Sequence, residues 1–172
     1  MSTNNINQNL TNLASPKIGT KIMDVSDDFF GEASRMLDDK EPVFIEDKYD
    51  EHGKWMDGWE SKRRRDGGND WAIIELGSPG IITEIDIDTS FFTGNFPPFA
   101  SIEGLYSDQK PSKDSDWIEI LSKTSLKGDS GNKFKIESKT KVNYIKLQIF
   151  PDGGVARLRL FGEVKLDWDI YN

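Results

Sequence analysis

The densest chemistry lies between Asp47 and Arg65, where acids, bases and aromatics crowd into one short stretch. His52 is the sole histidine, and an imidazole exchanges protons near neutral pH, which makes it a candidate general acid or base. A satisfied structural histidine explains it equally well. Asp57 and Gly58 sit between Trp55 and Trp59, with Glu60 next, so Asp57 and Glu60 are candidate proton carriers unless the stretch is simply a solvated loop anchored by its two tryptophans. The run Lys62, Arg63, Arg64, Arg65 offers guanidinium groups that grip carboxylates through paired hydrogen bonds, with surface charge as the plain reading of most of them. Arg157 and Arg159 project from one face of a strand whose other face carries Leu158 and Leu160. They could hold an anion together or form surface ion pairs. Ahead of them, Asp152, Gly153 and Gly154 make a flexible turn at which a ligand could approach backbone N–H groups. A third cluster ends a strand among Asp88, Thr93 and Asn95, an acceptor, a hydroxyl and an amide that suit a urea-like group and also suit ordinary loop capping.

The composition narrows what these groups can do. One histidine and no cysteine cannot assemble a zinc site of the usual nitrogen and sulfur type within one chain. Asp57, Glu60, Asp86 and Asp88 could serve a hard cation, but their spacing follows no ordered ligand pattern, so no cofactor is called for and a divalent metal stays open. A net charge of −8 opposes nucleic acid and anionic membranes as partners, despite the basic run at 62–65, and points to a small-molecule ligand. There is no P-loop, dinucleotide glycine fingerprint, G-x-S-x-G elbow or zinc-protease helix.

The elements that must position these groups are mostly strands. A chain of 172 residues can bury one sizeable core, and its five Trp and ten Phe supply the apolar surface to do so. Segments rich in branched and aromatic residues run over Trp71–Leu76, Ile81–Asp88, Phe99–Tyr106, Trp117–Leu121, Phe134–Glu137, Val142–Phe150 and Ala156–Phe161. Turn chemistry separates them, including Gly77-Ser78-Pro79-Gly80 and Pro151-Asp152-Gly153-Gly154. No helix stands between them to make parallel crossovers, so the expected fold is mainly all-β, an antiparallel β-sandwich with jelly-roll topology. Alternation predicts Ile85, Ile87, Ile145, Leu147 and Ile149 inside, with Lys146 and Gln148 on a wet face. From Ser26, acids followed by Phe29, Ala33, Met36 and Leu37 predict a short helix near the N-terminus, among long loops. Residues 1–13 read as a flexible Asn-rich tail, 14–164 as the domain, and 165–172 as a tail or the start of a linker. No apolar run is long enough to span a membrane and no secretory leader is visible, so the expected location is cytoplasmic, which the lack of cysteine fits.

Asp27-Asp28-Phe29-Phe30, Lys54 to Ser61, Asp70-Trp71, Asp88 to Asn95 and Pro151 to Gly162 together resemble the motifs of the allantoicase family, in the family's order. The resemblance runs from about Ile18 to Glu163. It implies a jelly roll of the galactose-binding-like type and the conversion of allantoate and water to ureidoglycolate and urea in purine breakdown. Allantoate carries a carboxylate and two ureido groups on one carbon. An arginine among Arg63, Arg64, Arg157 and Arg159 would hold the carboxylate, His52, Asp57 or Glu60 would move protons, and Asp88, Thr93 and Asn95 would orient the ureido groups. Allantoicases of this type carry two such repeats and this chain supplies one, which makes a homo-oligomer or a second allantoicase repeat the expected macromolecular partner. The alternative is a noncatalytic galactose-binding-like ligand or carbohydrate-binding module, using Trp55, Trp59, Phe96 and Phe99 as a stacking platform.

Overall fold

The computed structural model describes residues 10–166. Its strands are β1 (Thr11–Asn12), β2 (Lys21–Val25), β3 (Tyr49–Asp50), β4 (Gly53–Lys54), β5 (Trp59–Glu60), β6 (Asp70–Asp88), β7 (Phe99–Leu105), β8 (Ile118–Ser125), β9 (Lys133–Lys135), β10 (Lys141–Phe150), β11 (Gly154–Val155) and β12 (Arg157–Val164). The expected antiparallel sandwich is present, and β6 is its backbone. The first part of β6 pairs with β2 on one side and β10 on the other, and β10 leads on to β7 and β8. The second part pairs with β9 and β12, and β12 carries β1 at its far edge. Ile74, Ile102, Ile145 and Leu147 from the first layer share one apolar cluster with Ile85, Ile87, Leu158 and Leu160 from the second. The alternation of the sequence thus selects the buried face, as burial on one side of a pleated strand requires.

Four sequence expectations need correction. Gly77-Ser78-Pro79-Gly80 does not break the strand, since β6 runs unbroken through it as it passes from one layer to the other. The domain begins before residue 14: Thr11 and Asn12 pair with Gly162 and Phe161, and Leu13 is fully buried. The rest of the expected tails, residues 1–9 and 167–172, lies outside the described residues. The short early helix is present as a 3-10 helix over Ala33–Leu37, but it starts later than the acids after Ser26 suggest, because Asp27 accepts the Phe29 and Lys62 N–H groups instead of opening a helix. Lys146 is only 9% exposed, where alternation places it on a wet face. Its Nζ donates to the Lys113 carbonyl at 3.0 Å, so a connecting segment covers that face. Among the described residues no helix is long and apolar enough to cross a membrane.

Candidate functional site

At the end of the sandwich where β10 stops and β11 begins lies a cleft of about 560 Å³. β5 and the stretch after it bring Glu60, Ser61, Arg63 and Arg64 to it, the β6–β7 loop brings Asn95 and Phe96, the turn after β10 brings Asp152 and Gly153, and Phe30 lines one side. Local packing fixes each part. Trp59 is 0% exposed and donates its indole N–H to the Asp27 carbonyl at 2.8 Å, which anchors β5. Gly58 lies so close to β11 and the residue after it that an added Cβ would stand 2.4 Å from the Val155 carbonyl. Glu60 is tied through its backbone to Gly31 and Gly154. The β6–β7 loop is seated by Phe92, fully buried with Met56 and Ala156 and touching Phe96. Gly153 has φ +133°, and its Cβ position is blocked by the Asn95 carbonyl at 2.7 Å, so only glycine brings the turn against that loop.

Within the cleft, the Asn95 side-chain amide donates to Glu60 Oε2 at 2.9 Å. Burial pushes the Glu60 carboxyl above its ordinary value, and the Asn95 hydrogen bond offsets part of that rise. Arg63 is exposed at the rim and has no carboxylate partner among the described residues. Arg64 is occupied: its Nε and Nη2 donate to Asp66 at 3.1 and 2.7 Å, and its Nη1 donates to buried Asp70 at 2.8 Å. The Asp66 carboxyl is held below its ordinary value by Arg64 first and by the Gly68 N–H second. Asp152 Oδ2 accepts the Arg64 backbone N–H at 2.7 Å.

The other sequence candidates are placed elsewhere. Arg157, 1% exposed, grips Asp57 with Nη1 and Nη2 at 3.1 and 2.8 Å and donates further to the carbonyls of Arg35, Lys40, Asp57 and Ala156. Asp57 Oδ2 also accepts the Val43 N–H at 3.0 Å. Arg159 shares the face of Arg157, as the spacing predicts, and reaches the carbonyls of Asp38, Asp39 and Lys40. Asp88 caps its own turn by accepting the Ser90 N–H and hydroxyl at 2.8 and 2.6 Å. Thr93 is exposed on the loop and does not line the cleft. His52 stacks on Phe29, ring centroids 4.2 Å apart, in a separate depression with Asp28, Glu32 and Asp50. Of the ten candidates, Glu60, Arg63, Arg64 and Asn95 converge on the cleft. The sequence flags Asp152 only as a turn residue, because a Pro-Asp-Gly-Gly run reads as turn chemistry and hides a carboxylate facing a cleft. The stacking platform is not assembled: Trp59 is core, while Phe99, 43% exposed, lines another depression with Phe150 and Lys123. Among the described residues no three carboxylate or imidazole groups gather as a metal site.

The Allantoicase repeat family matches residues 11–165. A probable allantoicase of Acinetobacter baylyi is 49% identical over 157 residues, which cover 91% of this chain and 47% of that protein. The crystal structure of the Saccharomyces cerevisiae allantoicase superposes with a TM-score of 0.79 at 34% identity, over 89% of this chain and 48% of the yeast chain. The chain therefore spans about half the length of the relatives it matches. A CBM32 domain from a family 31 glycoside hydrolase of Clostridium perfringens superposes at 0.64 with 10% identity, over 91% of this chain and 96% of that domain. That likeness extends to the fold, the galactose-binding-like jelly roll.

Proposed function

This chain belongs to the allantoicase family, and we propose that its cleft binds allantoate and releases urea from it, the chain acting as one repeat beside a second allantoicase repeat or a second copy of itself. One observation carries this reading: an arginine with no carboxylate partner among the described residues lines the same cleft as a half-buried carboxyl whose pKa is raised. Arg63 takes the substrate carboxylate through paired hydrogen bonds. Asn95 donates to Glu60, and its side-chain oxygen is left to accept from a ureido N–H. Glu60, protonated to a higher pH than an ordinary glutamate, delivers its proton to the departing ureido nitrogen. The C–N bond breaks as the remaining ureido nitrogen donates its electron pair to the central carbon, and water then adds there to give ureidoglycolate.

In this reading Asp57, Asp88, Arg64, Arg157 and Arg159 hold the scaffold, and His52 and Thr93 lie off the reaction path. The assignment to purine breakdown follows from the substrate, and the absence of cysteine fits a reducing cytoplasm. The test is urea release from allantoate by the purified chain, alone and mixed with a second allantoicase repeat, with its mass in solution measured alongside. Release that saturates with allantoate is the expected result. A folded protein that releases none in either setting overturns the proposal.

A further inference from the structure

The addition of water needs a base that is separate from the acid, and the cleft contains a second carboxylate suited to that task. Asp152 lines the cleft with Glu60 and Arg63. Its Oδ2 is held by the Arg64 backbone N–H at 2.7 Å, while its Oδ1 makes no hydrogen bond among the described residues. The residues around it are locked. The Pro151 carbonyl accepts the Asp70 N–H at 3.0 Å, and the Gly153 N–H donates to the buried Ser61 hydroxyl at 3.2 Å. Arg64 cannot swing away, because Asp66 and Asp70 hold its guanidinium. Asp152 is therefore an oriented carboxylate with one oxygen fixed and one available, which is what a base needs in order to act without reorganising. The nearby acids differ: Asp57 has both oxygens on Arg157, Asp66 has both on Arg64, and Asp70 is fully buried.

We propose that Asp152 is the general base that activates water in this cleft, an inference that rests on the reading of the cleft as an allantoate site. After Glu60 has given its proton to the departing urea nitrogen and the C–N bond has broken, the central carbon is joined to the remaining ureido nitrogen by a C=N bond. The water oxygen bonds to that carbon, the C=N electron pair returns to nitrogen, and one water proton passes to Asp152 Oδ1. Asp152 ends protonated and Glu60 ionised, and solvent returns the proton from one to the other. The net change is allantoate plus water giving ureidoglycolate plus urea, with both carboxyl groups restored.

Asp152→Asn keeps a side-chain oxygen for the Arg64 N–H, so the fold should be preserved while the base is lost. The expected result is a fall in kcat of about 100- to 10,000-fold with KM changed only a few-fold, together with loss of the low-pH limb of the wild-type pH–rate profile. Asp152→Ala supplies a second readout: added formate, a small carboxylate, restores part of its turnover in proportion to its concentration. Wild-type release of urea that persists in Asp152→Asn with the same kcat and the same low-pH limb overturns the base assignment alone. Failure of the wild-type protein itself to release urea overturns the allantoate reading, and the base assignment with it.

Discussion

Arg157 and Arg63 are the same residue type in opposite situations. Arg157, the first residue of β12, is buried, and its Nε, Nη1 and Nη2 all donate to Asp57 or to backbone carbonyls. Arg63 stands at the rim of the cleft with no carboxylate partner among the described residues. The carboxyls divide in the same way, Asp57 gripped through both oxygens and Glu60 held by a single Asn95 amide. Residue type alone does not separate a functional arginine from a structural one. The separation lies in whether the hydrogen-bonding capacity of the group is already filled by its own chain.

The largest effect expected from this contrast is at the saturated end. Arg157→Ala leaves the Asp57 carboxylate with only the Val43 N–H and several carbonyls without the Arg157 donor, and removing one partner of a buried ion pair typically costs about 3–5 kcal/mol. Chemical denaturation should show that loss as a lowered midpoint. A midpoint near wild type would mean that Arg157 is not the clamp described here. At the unsaturated end, Glu60→Gln should lower kcat about 100- to 10,000-fold while the protein gains a little stability at neutral pH, because a half-buried ionised carboxylate has been replaced by a neutral amide. Loss of both activity and stability would place Glu60 with Asp57 among the scaffold groups.

Gly153→Ala lies between the two regions. A left-handed φ combined with a blocked Cβ position predicts destabilisation of about 1–3 kcal/mol and weakened allantoate turnover, through displacement of the loop that carries Asn95. Thermal unfolding and urea release measured on the same preparation check both halves of that statement. A smaller effect follows from the carboxyls with raised pKa. Burial raises Glu60 above 4.5, against the Asn95 hydrogen bond. Burial first, and Asp88 second, raise Asp86 above 3.8, against the Asn132 N–H, Lys133 and Arg159. The folded chain therefore binds more protons than the unfolded chain between each ordinary value and its raised value. The contribution of these groups to stability is full below the ordinary values and is lost as pH rises through the raised ones. Glu60→Gln and Asp86→Asn should each flatten the stability–pH curve between the ordinary and the raised value of the group removed. An unchanged curve in both variants would contradict the burial effect.

Much of the architecture was legible because strand periodicity is a local signal. Ile85 and Ile87, and Ile145, Leu147 and Ile149, announce their buried faces without knowledge of any partner strand. The passage of β6 between layers was not legible, because Gly and Pro at 77–80 mark a turn by composition while the pairing of the neighbouring strands carries the chain straight through. The site was legible as a set of candidate groups and illegible as a selection among them. Asp57 and Glu60 stand three positions apart, yet one meets Arg157 from β12 and the other faces a cleft built by the loops after β6 and β10. Contacts across a hundred residues decide that outcome, and no spacing near Asp57 encodes them.

In the proposed function the unfilled groups of the cleft, and not the filled ones on β12, engage allantoate. That division is tested most directly by kcat/KM for urea release in Arg63→Ala set beside Arg159→Ala, with unfolding midpoints measured for both. Arg63→Ala is expected to lose about 10- to 100-fold in kcat/KM, the scale of a charged hydrogen-bond pair, at an unchanged midpoint, while Arg159→Ala keeps its kcat/KM and loses stability. Wild-type kcat/KM in Arg63→Ala, with the loss appearing in Arg159→Ala instead, would contradict it.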